Sequence, residues 1–190
     1  MVVKIDVDGV LRDIITRMCI IYNDAFGETI FPWEVDEYDI NKVFTEITYA
    51  TGGMSAVDFF FREKAEDVFV NSDAFPDAAE SLDRLRSAGH KVVIVTWQFT
   101  TDNKEYTLKF LDKCGLHYDD ICFTRDKWMV YGDYLIDDNP EFVLDGRDKS
   151  VKILVSRPYN NGVKGVKKVS TLSEAVDAIL CEEILDGTSC

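Results

Sequence analysis

The chain opens on Val2-Val3-Lys4-Ile5-Asp6-Val7, a β-branched apolar run of strand length that ends at the turn dipeptide Asp8-Gly9. From Val10 to about Phe26, the apolar residues Val10, Leu11, Ile14, Ile15, Met18, Ile21, Tyr22 and Phe26 recur at spacings of three and four, which predicts an amphipathic helix. A strand, a glycine turn and a helix begin an α/β fold. Between Gly27 and Phe75 the pattern becomes irregular and aromatic-rich, with short helical stretches and a break at Thr51-Gly52-Gly53, as expected of an inserted subdomain. Alternation then resumes. A helix carrying Ala78, Leu82, Leu85 and Ala88 on one face stops at Gly89. Lys91 to Thr96 reads as a strand buried on both faces. A helix from about Asn103 to Lys113, strands at Ile121–Phe123, Tyr134–Ile136 and Val151–Val155, and a last helix from about Leu172 to Leu185 complete the pattern. Strands alternating with helices imply a parallel sheet with right-handed crossovers.

Charge and composition narrow what such a fold can bind. The 190 residues carry 21 basic and 35 acidic side chains, a formal net charge of −14, with 46% hydrophobic and 12% aromatic residues, enough for a packed core. A chain this acidic is repelled by polyanions, which excludes a nucleic-acid polymer and an anionic membrane surface as partners. A phosphate-bearing ligand must be small or be met by a metal. The five cysteines form no CxxC pair, no basic leader precedes an apolar stretch, and no apolar run approaches the roughly 18 residues of a membrane span. A reduced, cytoplasmic protein is expected. The oligomeric state is open, a homodimer included.

In open parallel sheets ligands bind beyond the carboxyl ends of the strands. There the sequence places Asp6-Val7-Asp8-Gly9, Thr96-Trp97-Gln98 and Asp137-Asp138-Asn139, with Lys127 ten residues before Asp137. Each has an ordinary alternative: a strand-end turn, a strand threonine, a helix cap leading into Pro140, a surface lysine. Together they put several carboxylates at one edge, where two unit charges about 4 Å apart repel by about 4 kcal/mol at an effective dielectric of about 20. A cation resolves the conflict. Oxygen ligands without His or Cys favour Mg²⁺ over Zn²⁺. A cation, a carboxylate, a hydroxyl and an ammonium suit phosphoryl transfer. No GxSxG or Walker-type loop supports another chemistry, His90 and His117 read as structural, and the acidic pairs Asp36-Glu37 and Glu182-Glu183 read as solvated helix faces.

Ile5-Asp6-Val7-Asp8-Gly9-Val10-Leu11, Val93-Ile94-Val95-Thr96, Lys127 and Leu135-Ile136-Asp137-Asp138 resemble the four motifs of the haloacid-dehalogenase-like (HAD) hydrolases. Within them, Asp8-Gly9-Val10-Leu11-Arg12-Asp13 and Thr124-Arg125-Asp126-Lys127 resemble the "DGVLAD" and "TRDK" of 5′(3′)-deoxyribonucleotidases, and the Arg157-Pro158-Tyr159-Asn160 loop resembles that of microbial and phage-type members. The resemblance implies a HAD-like Rossmannoid three-layer α/β fold with a central parallel sheet. It implies a core of residues 1–26 and 76–190 and a helical cap at 27–75, inserted after the first strand-helix unit. It further implies Asp6 as the nucleophile, Asp8 as acid and base, Thr96 and Lys127 on the phosphate oxygens, and Mg²⁺ held by Asp6, the Asp8 carbonyl and the Asp137/Asp138 pair. The substrate would be a small phosphomonoester, a nucleoside monophosphate above all. Its expected contacts are Gly9, Ile14, Phe44, Trp97 and Gln98, with Phe31, Trp33, Tyr38 and Phe60 also available for stacking on a base. Ile14 stands where the family often has an aromatic, and Trp97-Gln98 where animal members have Ser-Pro. A sugar phosphatase and a non-catalytic phosphate sensor of the same fold are the alternatives.

Overall fold

The computed structural model describes residues 1–187, with side chains through Cys181. Six strands, β1 (Val2–Ile5), β2 (Lys91–Thr96), β3 (Asp120–Phe123), β4 (Tyr134–Asp137), β5 (Val151–Val155) and β6 (Lys167–Val169), form one sheet in the order β3-β2-β1-β4-β5-β6. Every pairing is parallel. The chain leaves β1 toward β2 and β3, then returns across β1 to β4, so the order reverses between β1 and β4. That switch point is where an open α/β sheet leaves a crevice at its carboxyl edge. The register fixes what meets there. Ile5 pairs with both Ile94 and Ile136, and the Asp6 amide donates to the Ile136 carbonyl at 3.0 Å. Thr96 and Asp137 therefore end β2 and β4, and Asp6 directly follows β1 between them.

Among the described residues there are nine α-helices, α1 (Ile14–Phe26), α2 (Ile40–Val43), α3 (Glu46–Thr51), α4 (Ala56–Asp58), α5 (Ala65–Asn71), α6 (Ala78–Ser87), α7 (Thr101–Lys113), α8 (Pro140–Val143) and α9 (Leu172–Gly187), with α4 running into a π-helical turn at Phe59–Glu63. Two hydrophobic cores result. The first holds the sheet residues, such as Val3, Ile5, Ile94 and Ile136, against Leu82 and Leu85 of α6, Phe110 and Leu111 of α7, and Val176 and Ile179 of α9. The second gathers Ile14, Met18 and Tyr22 of α1 with Val35, Phe44, Ile47, Phe60 and Val68. Helix α1 thus packs in one core with side chains from residues 35–69.

The single periodic run from Val10 to Phe26 is divided between these cores. Val10, Leu11 and Arg12 wind into a tight turn whose three amides donate to the Val7 carbonyl at 3.3, 2.8 and 2.9 Å, and Val10 and Leu11 enter the sheet core. The helix starts later than its periodicity predicts, because Asp13 caps it: the carboxylate accepts from the Thr16 amide at 3.2 Å and hydroxyl at 2.7 Å. The two chain crossings between the cores are paired antiparallel, with the Asp13 amide donating to Asp73 and the Phe75 amide to Leu11, both at 2.9 Å.

The other predicted strands and helices fall within a few residues of their expected places. β6 was not expected; Lys167-Lys168-Val169 is too short and too polar to show a strand pattern. Asp36 and Glu37 are exposed, but in a loop rather than on a helix, while Glu182-Glu183 and Cys190 lie outside the described side chains. Cys19, Cys114, Cys122 and Cys181 are unbridged. No helix among the described residues is long and apolar enough to cross a membrane.

Candidate active site

The carboxyl edge of the sheet opens into a cleft of about 460 Å³ between the two cores. Its floor is polar. Lys127, buried in a short 3₁₀ turn, donates from Nζ to Asp6 Oδ1 at 2.7 Å and Asp137 Oδ2 at 2.6 Å. The other Asp137 oxygen accepts from the Asn139 amide at 2.9 Å, so this fully buried carboxylate is committed on both sides. Asp6 Oδ2 has no hydrogen-bond partner among the described residues. Asp138 accepts from the Tyr159 hydroxyl on Oδ2, and its carbonyl accepts from Asn160 Nδ2 at 2.7 Å. Asn139 caps α8 through the Glu141 amide at 2.8 Å, so the Asp137–Pro140 run both starts a helix and supplies the site.

Asp6, Asp137 and Asp138 are all buried, and each offers a carboxylate oxygen within 4.8 Å of the others. Three carboxylates face one ammonium. Burial raises the Asp6 carboxyl to about 7, with Asp137 and Asp8 adding to the rise against the pull of Lys127. Burial, Asp137 and Asp6 likewise push Asp138 well above the usual carboxylate range. Burial alone would depress the Lys127 ammonium, but Asp137 and Asp6 outweigh it and raise it. This surplus of buried negative charge, borne by oxygen donors alone, fits a hard divalent cation.

The folded-state value of Asp6 lies above its ordinary 3.8, so its contribution to stability is fully present below 3.8 and is lost as pH rises through about 7. Thermal melts of chelated protein should fall across that window. Asp6→Asn should remove part of the fall, and Mg²⁺ should restore stability at its alkaline end. Superimposable melting profiles for wild type and variant in chelator would contradict the charge surplus.

Asp8 sits at the cleft with its Oδ1 accepting from Arg12 Nε at 2.7 Å and Oδ2 from Gln98 Nε2 at 3.0 Å. Gln98 also reaches Thr96 Oγ1 at 3.4 Å. Thr96, Trp97, Gln98 and Ile14 line the cleft, and the Gln98 amide is turned to Asp8. Gly9 does not line it. A Cβ there would lie 2.2 Å from Asp138 Oδ2, and φ is +76°, so glycine lets the first and last motifs approach each other. Its carbonyl accepts from Arg157 Nε at 2.8 Å.

Phe44 requires a correction. It is fully buried in the second core, edge-on to Tyr22 and Phe60 at 5.1 and 4.9 Å, and does not line the cleft; Phe60 is equally buried. Small helical units need their bulkiest rings inside, which removes these two from any ligand. Phe31 and Trp33 stack on one another at 4.6 Å outside the cleft, whereas Tyr38 lines it and accepts from Asn139 Nδ2 at 2.6 Å. The apolar lining comes instead from Ile14, Ile15, Met18, Val57, Phe61 and Phe69, together with Trp97 and Phe99. Arg125 lies over the Trp97 ring at 5.6 Å and pairs with Glu141 at 3.1 Å. Arg125 and Tyr159 stand inside motifs legible in the sequence, but their positions at the cleft were not anticipated. Neither histidine lines it.

A sequence model of the family described as "5' nucleotidase, deoxy (Pyrimidine), cytosolic type C protein" matches residues 1–185. The chain belongs to this nucleotidase family. It is a HAD-type phosphatase, a phosphoric monoester hydrolase. A Chlorobaculum tepidum protein named "Putative 5'(3')-deoxyribonucleotidase" is 27% identical over 163 residues, covering 79% of this chain and 75% of that one. Among solved structures, the nucleotidase-family fold is similar to L-2-haloacid dehalogenase from Xanthobacter autotrophicus, at TM-score 0.59 and 16% identity over 94% and 98% of the two chains. It is also similar to a HAD family hydrolase from Deinococcus radiodurans with bound phosphate and sodium, at TM-score 0.59 and 19% identity over 95% of each. These two likenesses establish the HAD fold.

Proposed function

We propose that this phosphatase is a Mg²⁺-dependent 5′(3′)-deoxyribonucleotidase acting on nucleoside monophosphates through an aspartyl-phosphate. The observation that carries this reading is one cleft with two unlike halves: a floor of Asp6, Asp8, Thr96 and Lys127, and an apolar, partly aromatic wall above it. The floor suits a phosphate and the wall a flat, weakly polar leaving group. The names of the matching family and of the Chlorobaculum relative point the same way. At about 460 Å³ the space lies in the usual range for a small ligand.

In the proposed reaction an Asp6 carboxylate oxygen attacks phosphorus as the bond to the nucleoside oxygen breaks, and Asp8 gives that oxygen a proton. Asp8, now a carboxylate, takes a proton from water, whose oxygen attacks phosphorus and breaks the bond to Asp6. Thr96 and Lys127 hold the non-bridging oxygens throughout. Asp6, the Asp8 carbonyl and the Asp137/Asp138 pair would hold Mg²⁺, with Asp138 the freer of the pair because both Asp137 oxygens are committed. The ion supplies charge neutralisation for the transferred group. Residues 27–75, together with α1 against which they pack, act as the cap that excludes water.

Hydrolysis by purified protein with Mg²⁺ should be measured on deoxynucleoside and ribonucleoside monophosphates and sugar phosphates in parallel. Deoxynucleoside monophosphates are expected to give the highest kcat/KM. Faster turnover of sugar phosphates than of every nucleotide would overturn the substrate assignment, and tight nucleotide binding without turnover would overturn the mechanism.

A further inference from the structure

Arg12 occupies the position of the alanine in the "DGVLAD" pattern. A guanidinium there is fully buried, which places a permanent positive charge out of water beside the cleft. It is met on all sides. Nε donates to Asp8 Oδ1 at 2.7 Å, Nη1 to the Phe69 carbonyl at 2.8 Å in α5, and Nη2 to Thr107 Oγ1 at 3.2 Å in α7. The rings of Phe69 and Phe110 lie 4.8 and 4.9 Å from its centre. Its backbone is held as firmly: the Arg12 carbonyl accepts from the Gly9 amide at 3.0 Å, and Arg12 bridges to Ala74 at the antiparallel crossing between the two cores.

We propose that Arg12 is the positioning residue of Asp8, fixing the carboxylate of the acid and base against a guanidinium that is itself clamped between α5 and α7. The geometry favours this over a purely structural role. Nη1 and Nη2 join the guanidinium to α5 and α7, while Nε and the charge are met by a carboxylate that is a quarter exposed and opens to the cleft. A planar guanidinium presents donors in fixed directions, so holding two of them on α5 and α7 sets the direction of the third. Gln98 holds the second Asp8 oxygen from the β2 side, so Arg12 fixes one edge of the carboxylate and Gln98 the other.

This inference rests on the proposed phosphatase mechanism, and its test separates the two. p-Nitrophenolate leaves phosphorus without needing a proton, whereas a nucleoside alkoxide needs one. Arg12→Met should therefore lower kcat on deoxyuridine monophosphate by about 10²-fold, within the usual contribution of a placed acid or base. The pre-steady-state burst of p-nitrophenolate from p-nitrophenyl phosphate should change little, while the slow second step that also uses Asp8 lets phosphoenzyme accumulate. Equal loss in the burst and in nucleotide turnover, or no loss in either, would overturn the proposal, since a structural role moves both alike. Where Arg12→Met does not fold, Thr107→Val decides: it removes one clamp and keeps the charge, and should give a smaller loss with the same bias toward the nucleotide. An unbiased loss, or none, overturns the proposal there too. Wild-type protein inert toward both substrates would overturn the phosphatase mechanism and this inference with it.

Discussion

Asp6→Asn is expected to abolish turnover, by on the order of 10⁴-fold or more, because an amide cannot form the phosphorylated intermediate on which both chemical steps depend. The substitution nearly preserves shape, and the amide oxygen can still accept from Lys127, which now lies 2.7 Å from Asp6 Oδ1. In chelator at pH 8 the variant should be at least as stable as wild type, since it removes one of three crowded carboxylates. Loss of activity without loss of stability is the signature sought. Lys127→Met should behave differently. It deletes the ammonium that faces Asp6 and Asp137, leaving these buried carboxylates without their charge partner, and should lose both activity and stability. Phosphatase assays and thermal melts on the two variants distinguish these outcomes. Hydrolysis retained in Asp6→Asn would remove Asp6 as nucleophile.

The parts of this site that were legible in the sequence are those set by strands. Short apolar runs, β-branched in β1 and β2, locate β1, β2 and β4, and in a parallel sheet the residues at their carboxyl ends must share an edge, so the sequence pattern alone brings Asp6, Thr96 and Asp137 together. Periodicity was less informative about destination. It marks Val10, Leu11 and Ile14 as apolar in one register, yet the turn at Val7–Arg12 sends the first two to the sheet core and the third to the other. Phe44, Phe60 and Tyr38 are equally aromatic and lie in the same irregular segment. Only packing makes the first two core and the third a cleft residue. Arg12 was visible as a departure from a pattern, but a single arginine on an apparent helix reads as solvated until its burial is known. β6 and the Tyr159 contact to Asp138 depend on loop geometry that no local pattern encodes.

Lys4→Met is expected to destabilise the protein by about 3–5 kcal/mol, the usual loss when one partner of a buried ion pair is removed. Lys4 is a lysine inside β1 with no exposed surface, two residues before Asp6. Its Nζ donates to Asp148 Oδ2 at 2.6 Å, to the Val130 carbonyl at 3.1 Å and to the Lys127 carbonyl at 3.3 Å. Gly132 lets the stem through, since a Cβ there would lie 2.6 Å from Lys4 Cγ. The Asp148 carboxylate completes its bonding with the Ser150 amide at 3.0 Å and hydroxyl at 2.6 Å. Removing the ammonium leaves that carboxylate buried without its charge partner and releases two carbonyls of the turn that carries Lys127, so kcat should fall along with stability. Lys4→Met with Asp148→Leu should recover most of the stability, because the desolvation of both charges disappears together, while the turn stays untethered and kcat stays low. The pH dependence has the opposite sign to that of Asp6. Burial would raise the Asp148 carboxyl, but the bonds from Lys4 and Ser150 outweigh it and hold it below the usual 3.8. Its contribution is therefore present above 3.8 and lost as pH falls through the depressed folded-state value. Wild type should lose stability on that acid side more steeply than the double variant, and identical acid limbs would remove the pair from the account of what holds the Lys127 turn in place.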